Sequence, residues 1–170
     1  MPFLVAGADV PRAQSLDCIA QPMDILPSLL DLAGVELTPP KPFDGKSFAR
    51  AVVKGEASHR DYAVSGSFIH QKEAERPRRV TTPFVVTNDG WGYAPVGAEG
   101  APELYRLDSD PLATKNLAGE HPDVLTRLQA LFLEHLREHD APAECLELWE
   151  KADLDGRGSW APDYPDKEES

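Results

Sequence analysis

The sequence predicts an α+β chain: a small antiparallel sheet, a long C-terminal helix packed on it, and a separate strand–helix segment ahead of both. Three observations carry this. Short strand-like runs separated by turn residues fill the middle of the chain, from Tyr62–Ile69 to Glu103–Leu107. One long helical pattern follows them, with Val124, Leu125, Leu128, Leu131, Phe132 and Leu136 on one face. A short apolar helix, Ile25 to Ala33, precedes them.

The elements follow in order. Pro2–Gly7 (PFLVAG) is an apolar run ended by glycine and reads as a buried strand entering from something upstream. Ala8–Ser15 is a loop containing Pro11. Asp24 then stands where a helix N-cap belongs, its carboxylate placed to accept amide hydrogens of the first turn. Pro27 falls in that turn, where a missing N–H costs little. Ile25, Leu26, Leu29, Leu30 and Leu32 form a broad apolar surface, predicted to be mostly buried, and Gly34 closes the helix. Thr38–Pro42 is a stiff extended connection, Asp44-Gly45 a turn, and Ser47–Val53 a short helix ended at Gly55.

Tyr62–Ile69 reads as a strand weakened by Gly66, and His70–Arg79 as a charged solvent-facing loop. Val80–Thr87 is strand-like, with Pro83 suggesting an edge or a bulge. Asn88-Asp89-Gly90 is a tight turn into Trp91–Val96, making a hairpin. Glu103–Leu107 is another strand, and Asp108–Asn116 a polar loop. His121-Pro122-Asp123 opens the longest helix, with proline and an acid in the first turn. Ala143–Ala152 is a further helix, and the residues from Gly156 on form an acidic tail.

At 170 residues the chain has the length of one ordinary domain, and 41% apolar residues can fill a core. A net charge of −12 opposes binding to phosphate backbones, so a nucleic-acid partner is excluded. No run approaches the length of a membrane span. The first residues show neither a basic n-region nor a long apolar h-region, which reads as cytoplasmic if Met1 is the true start. Two cysteines make no disulfide framework. Sixteen prolines predict short elements and fixed turns.

No candidate for chemistry stands by itself. His135 and His139 are four apart on a helix, but Leu136 stands where a HExxH motif needs its glutamate; two ligands make a helix face rather than a metal site. Asp153-Leu154-Asp155-Gly156-Arg157 has an arginine where a calcium loop needs an oxygen, and Tyr164 replaces the closing glutamate. Ser65-Gly66-Ser67 lacks the flanking glycines of a nucleophile elbow. No catalytic or metal residue is assigned, and substrate-binding residues stay unknown.

Two stretches, taken in order, carry a resemblance. The first runs from Pro2–Gly7 through Met23-Asp24-Ile25-Leu26-Pro27-Ser28-Leu29-Leu30-Asp31-Leu32-Ala33-Gly34 to Asp44-Gly45-Lys46-Ser47-Phe48. The second is Glu103–Ala118, ELYRLDSDPLATKNLA. Together they resemble the C-terminal portion of the sulfatase family, within the alkaline-phosphatase-like superfamily, over roughly residues 2–137. In that resemblance Asp24 matches a helix-start aspartate, and Gly34, Gly45 and Pro111 match turn positions.

The resemblance implies a sulfuric ester hydrolase whose nucleophile is a formylglycine made from a C-x-[PA]-[ST]-R cysteine, with calcium or another divalent cation held by an N-terminal domain. Cys18-Ile19-Ala20-Gln21-Pro22 lacks the Ser/Thr and the arginine. Asn88-Asp89-Gly90 has the residues of the family's metal segment in another order. The expected divisions are 1–56, the end of the alkaline-phosphatase-like α/β domain; 57–140, the C-terminal subdomain; and 141–170, a short helix and tail. The expected partner is an N-terminal sulfatase domain or half-enzyme, in cis or in trans, with the chain a fragment, a split subunit or a remnant. At most Arg76, Arg78 and Arg79 would draw an anionic substrate to a cleft mouth. The alternatives are a stand-alone interaction or carbohydrate-binding module, and the C-terminal part of a phosphonate or phosphate monoester hydrolase.

Overall fold

The computed structural model describes residues 4–56, 59–71, 78–97 and 101–150. The chain divides into two compact units, Met1–Ala63 and Val64–Ser170. None of the described helices is long and apolar enough to cross a membrane.

In the first unit a single 3-10 turn, Pro22–Asp24, runs directly into helix α1 (Ile25–Leu32), and helix α2 (Ala49–Lys54) follows the proline-rich connection. Gly34 closes α1 as expected. At φ 64° it lets its own N–H reach the Asp31 carbonyl at 3.1 Å, while Val35 N–H reaches Leu30 at 2.9 Å. Gly55, at φ 65°, ends α2 with its N–H on the Ala51 carbonyl. The core of this unit is small: Phe48, Ala49, Ala51 and Val52, with Pro27 and Ser28 of α1.

Two expectations for this unit are corrected. Residues 4–7 form no strand, and Leu4 is 95% exposed. A strand needs a neighbour for its backbone groups, and none of the described residues supplies one. On α1 the buried side is Pro27 and Ser28, while Leu26 and Leu29 stay half exposed. Ser28 anchors the buried side through the Asp24 carbonyl and the Phe48 amide, and Leu26 and Leu29 lie on the other side.

The second unit holds a four-stranded antiparallel sheet in the order β1 (Tyr62–Gln71), β2 (Arg78–Thr87), β3 (Trp91–Ala94), β4 (Glu103–Arg106), followed by α3 (Pro122–Glu138) and α4 (Ala143–Glu150). The charged loop expected over residues 70–79 is shorter than its composition suggests. His70 and Gln71 extend β1, and Arg78 and Arg79 begin β2. Hairpin strands continue through polar residues because pairing uses the backbone. Pro83 sits in an interior strand, not at an edge. The register Val85↔Tyr93, Val86↔Gly92 places it opposite Pro95, one position beyond the end of β3, so its missing N–H breaks no bond between β2 and β3.

The β2–β3 turn is built by Gly90. At φ 81° its N–H meets the Thr87 carbonyl at 3.0 Å, and its own carbonyl accepts Leu107 N–H at 2.8 Å. Asp89 in that turn pairs with Arg127 of α3 at 2.8 Å, and His121, just before α3, meets the Trp91 ring edge-on at 5.1 Å. Thus the start of α3 is tied to the hairpin. Further along, Leu128 and Phe132 are buried, and Phe132 meets Trp149 of α4 edge to face at 5.4 Å. Val85, Tyr93, Leu104 and Tyr105 supply the sheet's share of the core.

The loop after β4 is ordered by two side chains. Asp110 accepts the N–H groups of Thr114 at 2.7 Å and Lys115 at 2.9 Å, and Asn116 Oδ1 accepts those of Leu104 at 3.0 Å and Ala118 at 2.9 Å. These contacts give the DSDPLATKNLA stretch its fixed course.

An alanine at position 90 would sit in the left-handed region, and its Cβ would come 2.2 Å from Asp108 Oδ2. Gly90→Ala is expected to destabilise the chain by about 2 kcal/mol, read as a lower urea midpoint at unchanged slope.

Candidate functional site

The most elaborate polar constellation in the described residues centres on Asp24. Its carboxylate is fully buried. It is not the expected cap of α1, since no bond runs from it to the amides that follow. It turns instead toward the rest of the first unit. Oδ1 accepts Lys46 N–H at 2.7 Å and an Arg60 Nη2 hydrogen; Oδ2 accepts Gln21 N–H at 2.9 Å, Arg60 Nε–H at 2.7 Å and His59 Nε2–H at 3.1 Å. One turn on, Ser28 Oγ donates to the Asp24 carbonyl at 2.6 Å and accepts Phe48 N–H at 2.9 Å.

The local sequence explains the geometry. Gly45 passes so close to the 3-10 turn that a Cβ there would lie 1.9 Å from the Met23 carbonyl oxygen. Only glycine allows the approach that brings Lys46 N–H and Phe48 N–H to their acceptors. The Asp24 helix and the Asp44-Gly45 turn are therefore two halves of one joint. His59 and Arg60, each with a side chain 9% exposed, complete it. Sequence reasoning missed these two. The available signal was chemical: a buried aspartate needs a cation, and Arg60 is one.

Burial by itself pushes the Asp24 carboxyl up. The donors from Arg60, Lys46, Gln21 and His59 overcome that and hold it well below the usual carboxylate range. Five donors also occupy its oxygens, so it has no lone pair left to ligate a metal or accept a substrate proton. Among the described residues one buried side-chain polar atom has no partner, His59 Nδ1. The Nε2 bond to Asp24 sets that ring's tautomer.

Beside this joint lies a groove of about 720 Å³, lined by Leu4, Val10, Leu16, Cys18, Ile25 and Phe48 among others. Cys18 is half-buried; desolvation and then the Asp17 charge push its thiol up. That is the reverse of an activated nucleophile.

The remaining sequence candidates scatter. Asn88-Asp89-Gly90 is the β2–β3 turn, with Asp89 committed to Thr87 and Arg127. Ser65 lies on β1, its hydroxyl 3.5 Å from the Phe84 carbonyl. Arg78 and Arg79 begin β2. Arg76 and the Asp153–Arg157 stretch, with Tyr164, lie outside the described residues. His135 and His139 do meet, with ring centroids 4.1 Å apart, and Glu138 joins them: one ligand atom from each lies within 4.8 Å of the others. The HExxH pattern places its glutamate directly after the first histidine, whereas here Glu138 stands directly before the second.

Asp24→Asn leaves Arg60 buried without its counter-charge, and a loss of about 3–5 kcal/mol is expected in thermal or urea unfolding. The acid limb follows from the lowered carboxyl. Above about pH 5, Asp24 is ionised in folded and unfolded chains alike, and its contribution is complete. As pH falls from about 5 through about 3.9 the unfolded chain takes up the proton first, so stability drops. The Asp24→Asn variant is expected to show a shallower drop over that range.

Comparison with known proteins gives this geometry a setting. No protein-family model matches the chain. Over 133 residues it is 25% identical to arylsulfatase K of Xenopus laevis, a stretch that covers 72% of this chain and 23% of that protein. A solved structure from Bacteroides thetaiotaomicron VPI-5482, assigned as a sulfatase, superposes with a TM-score of 0.65 at 26% identity, covering 80% of this chain and 29% of the other. Another, solved in complex with its substrate D-glucosamine-2-N,6-O-disulfate, shares the fold with a TM-score of 0.54 at 21% identity, over 71% of this chain and 24% of that one. The chain thus spans less than a third of the length of these relatives. In sequence and in fold it is related to the sulfatase family of the alkaline-phosphatase-like superfamily.

Proposed function

We propose that this chain is the C-terminal part of a sulfuric ester hydrolase and works only when joined, in cis or in trans, to an N-terminal domain that carries the reacting groups. One observation supports this reading most. Among the described residues the exposed large apolar side chains concentrate in the first unit: Leu4, Leu26, Leu29, Val35 and Leu37 are each half exposed or more, whereas the second unit exposes Leu112. Apolar surface gathered in that way is a contact surface. The length of relatives beyond what this chain spans is the natural source of its cover.

Cleaving a sulfate ester requires a nucleophile at sulfur and positive charge to hold the developing anion. The family's formylglycine and calcium supply these, and neither fits the residues here. Cys18 lacks the modification context, and its thiol is raised rather than activated. The one described ligand cluster offers two imidazoles to a single carboxylate, a poor donor set for calcium. The chain's own contribution is mechanical. The Asp24 joint fixes α1 so that its leucines form a firm face, and the catalytic domain seats on that face.

The test compares the 170-residue chain with its complex. By itself the chain is expected to self-associate in size exclusion, to bind a hydrophobic dye, and to show no sulfate-ester hydrolysis. Added to the catalytic part encoded with it, it is expected to form a defined complex that hydrolyses an aryl sulfate. Leu26→Glu with Leu29→Glu, both on the exposed side of α1, is expected to abolish assembly while keeping the fold by circular dichroism. A dye-silent monomer, or hydrolysis by the chain alone, defeats the proposal and favours a stand-alone module.

A further inference from the structure

The last turn of α3 brings His135, Glu138 and His139 together on its surface, in the order His-x-x-Glu-His. One ligand atom from each lies within 4.8 Å of the other two, a spread that a single ion can bridge. His135 is half-buried, and Glu138 and His139 are exposed, so solvent reaches the cluster without any rearrangement.

Three further features suit a cation. First, the His139 Nδ1–H donates to the His135 carbonyl at 2.8 Å. A carbonyl can only accept, so Nδ1 carries a proton and Nε2 is the nitrogen left to ligate a metal. A backbone partner of this kind commonly orients a metal-binding imidazole. Second, the cluster sits at the helix C-terminus, where the last carbonyls carry partial negative charge. The terminus is well fixed: Asp140, at φ 52°, gives its N–H to Arg137 at 3.1 Å, and Ala141 gives its N–H to Leu136 at 3.0 Å. Third, Arg137, within the same turn, is engaged by Glu134 and Glu150, so its charge is offset locally.

We propose that His135, Glu138 and His139 form a surface site for one borderline transition-metal dication, with zinc as its representative. Two nitrogen donors and one carboxylate select zinc, nickel or copper over calcium and magnesium, which prefer all-oxygen shells. Three protein ligands leave the fourth tetrahedral position to water. The same residue order carries the two zinc-binding histidines in one class of zinc peptidases. Here the turn lies on an open surface, so the role is binding and bracing of α3 rather than hydrolysis. The proposal rests on α3 alone and is independent of the sulfatase reading.

The experiment titrates zinc chloride into the chelator-treated 170-residue chain by calorimetry, with cobalt as a spectroscopic probe. One equivalent is expected to bind, with cobalt giving the intense visible bands of four-coordination, and zinc is expected to raise the melting temperature. His135→Gln and His139→Gln should each weaken binding by about tenfold or more. The double variant should lose the melting shift, while circular dichroism confirms that this exposed turn stays folded. His121→Gln, a histidine outside the cluster, should bind zinc with the affinity and stoichiometry of the parent chain, whatever it does to the starting stability through the lost Trp91 contact. Absence of saturable binding, equal binding by the double variant, or equally tight calcium binding overturns the proposal.

Discussion

The Asp24–Arg60 ion pair is the interaction on which the first unit depends. A carboxylate with no solvent exposure costs several kcal/mol to desolvate unless its oxygens are fully engaged. Here they receive Arg60, His59 and the Lys46 amide from segments far along the chain, and the Gln21 amide from the turn just before. The penalty is thereby converted into specificity, because only one path of the chain brings all the donors together. The glycine at 45 follows from this arrangement, since the loop must pass against the Met23 carbonyl. The exposure of Leu26 and Leu29 goes with it, since Ser28 anchors the opposite side of α1 to Asp24 and Phe48.

The second unit uses smaller devices of the same type. Gly90 reverses the hairpin, Asp110 folds the loop after β4 on itself, and Asn116 returns that loop to Leu104. Each satisfies backbone donors of the connections that lie between the helices and strands. Tyr105 belongs to this pattern. Burial, and then its hydrogen bond to Glu103, push its hydroxyl up to about 12, so it stays a neutral donor at 2.7 Å.

Much of this was legible from residue order. The 3.6-residue pattern of α3, the proline at its first position, Gly34 and the turn at 88–90 report local rules, and local rules are written locally. Strand ends were less legible, because His70–Gln71 and Arg78–Arg79 join strands by backbone pairing that their polar side chains do not announce. The role of Asp24 was misread for a related reason. Its neighbours along the chain make it a cap of α1, whereas Lys46, His59 and Arg60 are reached only by folding and just the Gln21 amide is local. The apolar stripe on α1 was legible too, but its burial was not. Periodicity says that a face seeks a partner and cannot say whether the partner is in the same polypeptide segment.

The span of the Asp24 joint sets an order of events during synthesis. Asp24 and Arg60 are 36 residues apart, and a ribosome adds that length in about two to seven seconds. Throughout that interval α1 has emerged with its leucines but without its lock. A helix of eight residues is too short to persist unsupported in water. The nascent segment is therefore a loose apolar stretch until Arg60 clears the exit tunnel, which makes it a natural client for chaperones that recognise short hydrophobic peptides.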